Sequence, residues 1–226
     1  MVLISKGQLA KMIDHSLLHP SLTSEDIRKG CAEGLKYGFA AVVVNPVHIP
    51  IAAKVLQGSP VKVCSVLSFP FGLSPTAVKV HEANAVLAEG AQEIDMVMNF
   101  GALRSGEPDI VREDIMAVVG EAKQFSKSVV VKVILENCYL SKEQKIQACT
   151  LAAEAGADYV KTSTGFGKGG ATVEDVRLMR KTVGQNLGVK AAGGIRTLDQ
   201  ALAMVAAGAN RIGASASVSI VESLDS

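Results

Sequence analysis

Short runs of β-branched and small apolar residues return along the chain at near-regular intervals, most of them followed by a stretch of helical period. The runs are AVVVNP (Ala41 to Pro46), VKVCSVLSF (Val61 to Phe69), EIDMVMNF (Glu93 to Phe100), VVVKVILE (Val129 to Glu136), DYVKTST (Asp158 to Thr164), GVKAAGG (Gly188 to Gly194) and NRIGAS (Asn210 to Ser215). A further run near MIDHSLL brings the set to eight. Most lack polar alternation, which marks strands of a parallel sheet covered on both faces. Between them, Thr23 to Gly38 opens on a capping residue and an acidic first turn and stops at a glycine. Ser74 to Gly90, Ser141 to Gly156, Thr172 to Gly184 and Thr197 to Gly208 repeat that scheme, and Ser141 with Gln144 has the spacing of a capping box.

Such alternation predicts an α/β architecture with a parallel sheet. An open doubly wound sheet would usually carry a G-x-G-x-x-G turn after its first strand, and none stands there. Eight units within 226 residues fit the lower part of the size range of a closed barrel. No linker or shift of composition divides the chain, so residues 1–226 read as a single (β/α)8 TIM barrel domain.

The bulk properties narrow the function. Lysine and arginine number 23 against 22 acidic residues, with no basic run, which argues against a nucleic-acid partner. Cys31, Cys64, Cys138 and Cys149 are scattered without a Cys-x-x-Cys pair, so they read as reduced thiols and not as a disulfide or zinc framework. His15 and His19 have i,i+4 spacing but no accompanying HExxH glutamate, and the reading assigns no metal and no cofactor. The apolar start of the chain is too short for a signal peptide or a membrane span, so the expectation is a cytoplasmic protein with no membrane partner.

In a barrel of this kind the active site is built at the C-terminal ends of the strands. Polar residues in or just after the apolar runs are Asp14, Asn45, Asp95, Asn99, Lys132, Glu136, Lys161, Thr162, Thr164, Lys190 and Ser215. Lys161 and Lys190 lie inside apolar strands, where lysine packs poorly, and strands six and seven are neighbours in space. A free lysine with a pKa of about 10.4 holds only about 0.04% neutral amine at pH 7. Burial and a second cation both lower that pKa, and a fall to about 7 enlarges the nucleophilic fraction roughly a thousandfold. One lysine that attacks a carbonyl and another that tunes it make chemical sense of the pair. Asp95, in EIDMVMN, is placed to move protons in an imine mechanism or to serve as a buried ion-pair partner. Lys132 and Glu136 read equally as a core network and as an orienting shell. The glycine-rich turns STGFGKGGAT, AAGGIRT and RIGASAS follow strands six, seven and eight, where barrels often hold a phosphate on backbone N–H groups.

IDHSLLHP, AVVVNPVHI, EIDMVMNFGAL, VKVILE, YVKTSTGFGKGGAT, VKAAGGIRT and RIGASAS together resemble, in order and along essentially the whole chain, the deoxyribose-phosphate aldolases. The resemblance implies a metal-free class I lyase. It would reversibly cleave 2-deoxy-D-ribose 5-phosphate into D-glyceraldehyde 3-phosphate and acetaldehyde. On that pattern Lys161 forms the Schiff base, Lys190 perturbs its pKa and Asp95 assists proton transfer. Thr164, Gly193, Gly194, Gly213 and Ser215 contact the substrate or its phosphate. The partners implied are a small phosphosugar and an aldehyde, with a homodimer common in such enzymes. This chain departs from the pattern in three places: Val43 replaces a frequent cysteine, His19 replaces a lysine and is expected at the periphery, and the last loop reads GASAS with Ala214, Ala216 and Ser217. Two other readings share the fold, another Schiff-base sugar-phosphate aldolase of transaldolase-like type and a non-catalytic phosphosugar-binding barrel.

Overall fold

The structure is a computed structural model that describes residues 4–225. Eight strands close a parallel barrel in sequence order: β1 (Ile13–Leu17), β2 (Ala41–Val44), β3 (Lys62–Leu67), β4 (Glu93–Val97), β5 (Val130–Ile134), β6 (Tyr159–Lys161), β7 (Gly188–Ala192) and β8 (Arg211–Ala214). β8 pairs with β1 through Ile13 and Ile212, which seals the cylinder. The helices are α1 (Lys6–Ala10), α2 (Ser24–Tyr37), α3 (Ile49–Leu56), α4 (Thr76–Ala88), α5 (Phe100–Arg104), α6 (Pro108–Phe125), α7 (Lys142–Glu154), α8 (Val173–Val183), α9 (Leu198–Ala206) and α10 (Ser217–Glu222).

The expected helix boundaries follow from their caps. Thr23 and Asp26 cap each other's backbone at the start of α2, and Gly38 ends it in the left-handed region at φ 65°. Ser141 with Gln144 and Thr197 with Gln200 do the same for α7 and α9. α6 falls in an interval for which no helix is predicted above. Its buried Val111, Ile115, Val118, Val119 and Ala122 nonetheless recur at helical spacing.

Strand parity sorts the barrel. Ile13, Val42, Val44, Val63, Ile94, Val131, Val133, Val160, Val189 and Ile212 face the helices in one continuous apolar core. The alternate positions face inward, and this interior has two unlike halves. Ala41, Val43, Cys64 and Val66 from β2 and β3 form a small apolar cluster, roofed by Leu18 and Phe69. The other half carries Asp14, Glu93, Asp95, Lys132, Lys161, Lys190 and Arg211, all but Arg211 fully or almost fully buried. Two inward-facing glycines make room for these long side chains. A Cβ on Gly188 would stand 2.0 Å from the Tyr159 ring, and one on Gly213 would stand 2.9 Å from Ala192 Cβ and 3.1 Å from Lys190 Cε. Gly213 lies within β8, inside the NRIGAS run, and leaves space for Lys190.

Outside the barrel, one buried ion pair joins α4 to α6. Lys79 Nζ donates to Asp114 Oδ2 at 2.5 Å and to the Val97 carbonyl at 3.1 Å, while Thr76 donates to Asp114 Oδ1 at 2.9 Å. Removing one member of a buried pair leaves the other charge stranded. Asp114→Ala is expected to lower the unfolding free energy by about 3–5 kcal/mol, read from urea denaturation, with the imine chemistry of the folded fraction unaffected.

Candidate active site

A cavity of about 510 Å³ opens at the C-terminal ends of β1, β6, β7 and β8. Lys161 lies at its floor, 3% exposed. Thr164, Gly193, Gly194, Gly213 and Ser215 line the same cavity, so the structure brings the nucleophile candidate and every expected substrate-contacting residue together. Lys190 and Asp95 lie beneath, fully buried.

Register sets the neighbours. Lys161 pairs with Lys190 across β6 and β7, and Asp95 pairs with Lys132 across β4 and β5. Asp95 accepts from three lysines, Lys132 on Oδ1 at 2.9 Å and Lys161 and Lys190 on Oδ2 at 2.8 and 2.6 Å. Lys190 Nζ also stands 2.5 Å from Asp14 Oδ2, and Lys132 Nζ 2.6 Å from Glu93 Oε2. Arg211 reaches Asp14 Oδ1 at 2.6 Å and Glu93 Oε1 at 3.4 Å.

The charges of this cluster decide which lysine is a nucleophile. Among the described residues, Asp14, Glu93 and Asp95 face Lys132, Lys190, Arg211 and Lys161 inside the barrel, one cation in excess. An uncompensated charge in a low-dielectric interior is costly, so the group held least firmly sheds its proton. Burial lowers the proton affinity of every lysine here, and the carboxylates oppose it. Lys132 and Lys190, each against two or more carboxylates, end above the ordinary lysine value. Lys161 has only the shared Asp95. Burial, with the repulsion of Lys190, prevails and its pKa falls. Asp95, although buried, is held well below the usual carboxylate range by Lys132, Lys161 and Lys190.

The cavity walls have their own order. Glu136, buried and on a left-handed backbone at φ 55°, accepts from the Thr164 N–H at 3.3 Å and from the Thr164 hydroxyl, which in turn accepts from the Phe166 N–H at 3.0 Å. Thr164 thus anchors the loop, with its hydroxyl already engaged. Burial raises the Glu136 pKa. Gly193 and Gly194 both take positive φ, 89° and 79°, and their N–H groups have no protein acceptor among the described residues. Gly170 packs so closely on the Gly193 carbonyl that a Cβ there would lie 2.2 Å away. Arg196 and Lys29 stand at the rim. His19, expected at the periphery, is exposed but also lines the rim, its ring 2.7 Å from the Ser21 hydroxyl.

Several polar residues singled out in the sequence hold backbone instead. Asn45 donates to the Leu18 carbonyl, Asn99 caps α5, and Thr162 bridges to Ala192. His15 faces α2, 3.4 Å from Glu33. No group of three or more His, Cys, Asp or Glu able to hold a metal occurs among the described residues, and no described helix is long and apolar enough to cross a membrane. Glu93 and Arg211 were absent from the sequence candidates. The E-I-D spacing of two, which puts Glu93 and Asp95 on one strand face, was the available signal.

A barrel with a lysine of lowered pKa at the foot of an open cavity defines a class of enzyme that works through amine–carbonyl chemistry. The family model of the DeoC/LacD aldolases matches residues 8–219, and the chain belongs to that family. It is 58% identical over 214 residues to the deoxyribose-phosphate aldolase of Caldanaerobacter subterraneus subsp. tengcongensis, covering 95% of this chain and 92% of that one. It is 60% identical over 216 residues to the enzyme of the same name from Thermococcus gammatolerans, covering 95% of each. The tetrameric deoxyribose phosphate aldolase of Aeropyrum pernix superimposes with a TM-score of 0.91 at 38% identity, covering 98% of this chain and 93% of that one.

Replacing Lys190 by methionine removes the cation that repels a proton on Lys161 while keeping the volume. The acid limb of imine formation is then expected to move to higher pH, with the plateau retained at alkaline pH. A stopped-flow pH profile with acetaldehyde checks it.

Proposed function

We propose that this chain is a class I aldolase that cleaves 2-deoxy-D-ribose 5-phosphate to D-glyceraldehyde 3-phosphate and acetaldehyde, and runs the reaction in reverse. The observation that carries the reading is Lys161, which lines the cavity with Asp95 beneath it and whose pKa burial and Lys190 draw down. The neutral Nζ attacks the C1 aldehyde of the open-chain sugar, and loss of water from the carbinolamine leaves a protonated imine. The C3 hydroxyl then gives up its proton, the C2–C3 bond breaks, and its electron pair forms an enamine on C1–C2. Departure of C3 to C5 as glyceraldehyde 3-phosphate, protonation of C2 and hydrolysis of the imine release acetaldehyde and restore the lysine.

Asp95 supports this course chiefly by charge. The iminium keeps a positive charge at Nζ, and Asp95 Oδ2 is the carboxylate oxygen 2.8 Å from that atom. A carboxyl held so far below the usual range keeps no proton of its own near neutrality. As a carboxylate beside Lys161, Asp95 is placed to assist proton transfer directly or through water. Lys190 remains an ammonium and repels a proton on Lys161. The free N–H groups of Gly193 and Gly194, with the Ser215 hydroxyl and Arg196, are the donors suited to the phosphate. Self-association as a homodimer belongs to the same reading.

Borohydride reduction in the presence of acetaldehyde tests the mechanism. An adduct is expected on the peptide that contains Lys161 and not in Lys161→Ala, whose kcat should fall by more than about a thousandfold. Active protein without an adduct at Lys161 would sink the reading. Ser215→Ala is expected to raise KM for the phosphorylated sugar about tenfold with kcat little changed, a loss of uniform binding that steady-state kinetics would separate from a chemical defect.

A further inference from the structure

The buried charges below Lys161 close on themselves. From Asp95 the contacts run to Lys132 at 2.9 Å, to Glu93 at 2.6 Å, to Arg211 at 3.4 Å, to Asp14 at 2.6 Å, to Lys190 at 2.5 Å and back to Asp95 at 2.6 Å. Signs alternate at every step, so the ring is neutral when all its members are ionised. Lys161 hangs from it by Asp95 alone. Glu93 and Arg211 belong to the N-terminal end of the barrel, remote from the cavity. Glu93 opens β4 and Arg211 opens β8, and Arg211 lies over the Tyr159 ring at 5.6 Å.

We propose that Glu93 and Arg211 are positioning residues for the aldol reaction, closing the ring from the far end of the barrel so that its neutrality makes Lys161 the amine that gives up its proton. The inference rests on the reading of Lys161 as the imine-forming nucleophile. Neither residue touches substrate. Each acts through a charge, Glu93 through Lys132 and Arg211 through Asp14 and then Lys190.

The other charged and titratable groups around Lys161 do not perform this office. Asp95 on β4 and Lys190 on β7 are its direct neighbours, and Cys64 on β3 lies 3.3 Å from Asp95 Oδ1 with its thiol pushed up by burial. Glu136 after β5 is occupied by Thr164. Asp14 on β1 and Lys132 on β5 are ring members already. Among the described residues, Glu93 and Arg211 are the ring members that contact neither Asp95 nor Lys190, so a ring charge can be changed there without altering either direct neighbour of Lys161.

A sign test separates this role from simple support of the fold. Arg211→Gln leaves the ring with an excess negative charge, which favours a proton on Lys161. Glu93→Gln leaves an excess positive charge, which opposes one. The pH profile of imine formation, followed as cyanoborohydride trapping of acetaldehyde on protein verified as folded by circular dichroism, should therefore shift in opposite directions. Its acid limb should move up in Arg211→Gln and down in Glu93→Gln, each by about one pH unit or more, a tenfold change in neutral amine at fixed pH. The double variant, neutral again, should return the limb close to that of the parent.

Limbs that move the same way, or stay in place while rates fall, would overturn the proposal. Where either single variant fails to fold, the double variant and the remaining single decide: a limb displaced in the single and restored in the double supports the ring, and any other pair of results refutes it. Absence of trapping on Lys161 in the unmodified protein would instead count against the nucleophile itself.

Discussion

The carboxylate of Asp95 is the point on which the barrel interior turns. Three lysines from three neighbouring strands donate to its two oxygens, and no packing of apolar side chains could hold such groups together in a space closed to water. The rest of the interior is arranged around that need. The small apolar cluster of the interior stands on β2 and β3, while Gly188 and Gly213 give up side chains so that Tyr159 and Lys190 fit. Buried ion networks are weak sources of stability, since well-packed apolar residues of the same volume often serve as well or better. The outward faces of the same strands carry the ordinary apolar core. An interior this heavily charged therefore makes sense only through the chemistry it imposes on Lys161.

That chemistry depends on a gradient of partners. Lys132 stands against Glu93, Asp95 and, at 3.7 Å, Asp14; Lys190 stands against Asp14 and Asp95; Lys161 has Asp95 alone. All three lysines are buried, and the carboxylates around each oppose that burial: Lys132 and Lys190 are shifted up and Lys161 down. The lysine with fewest is also the one that reaches the cavity. Ionisation and access coincide because the strands deliver Lys161 at the end of β6, one step closer to the C-terminal mouth than Lys132 in register with Tyr159. A second lysine is thus more than a neighbour that repels: by remaining charged it occupies the carboxylate that would otherwise hold Lys161 as an ammonium.

How much of this was legible depended on whether a residue looked out of place. Lysine within YVKTST and GVKAAGG is anomalous in a buried strand, as is aspartate within EIDMVMN, so the sequence pointed to Lys161, Lys190 and Asp95 directly. The alternation of strand and helix predicted the barrel because both periods are local. Glu93 and Arg211 sit at the first position of their strands, where charged residues are common at the edge of a sheet, and nothing local distinguishes them from solvated ones. Their importance lies in the closure of β8 onto β1 and in contacts between β1, β4 and β8, which only the folded barrel provides. The space that Gly213 leaves is invisible locally for the same reason, since the Lys190 chain it accommodates belongs to another strand. Thr164 lines the cavity, and its bond to Glu136 depends on a left-handed backbone at Glu136 that local pattern does not reveal.

The two ends of the cavity must also be reconciled electrically. In the proposed reaction a phosphate close to dianionic at neutral pH enters the same space as an amine that must stay uncharged. An uncompensated dianion would attract a proton to Lys161 and undo what the ring accomplishes. Neutral donors alone, such as the N–H groups of Gly193 and Gly194, bind the oxygens without cancelling the charge. Arg196 and Lys29, which line the cavity together with Asp26 and Glu33, are the cations placed to offset that charge where the cavity meets solvent, away from the floor. The same division bears on Ala216, which stands between β8 and α10. Hydroxyls there would add hydrogen bonds but no charge, and local neutralisation of the phosphate, not the number of its bonds, keeps the amine free.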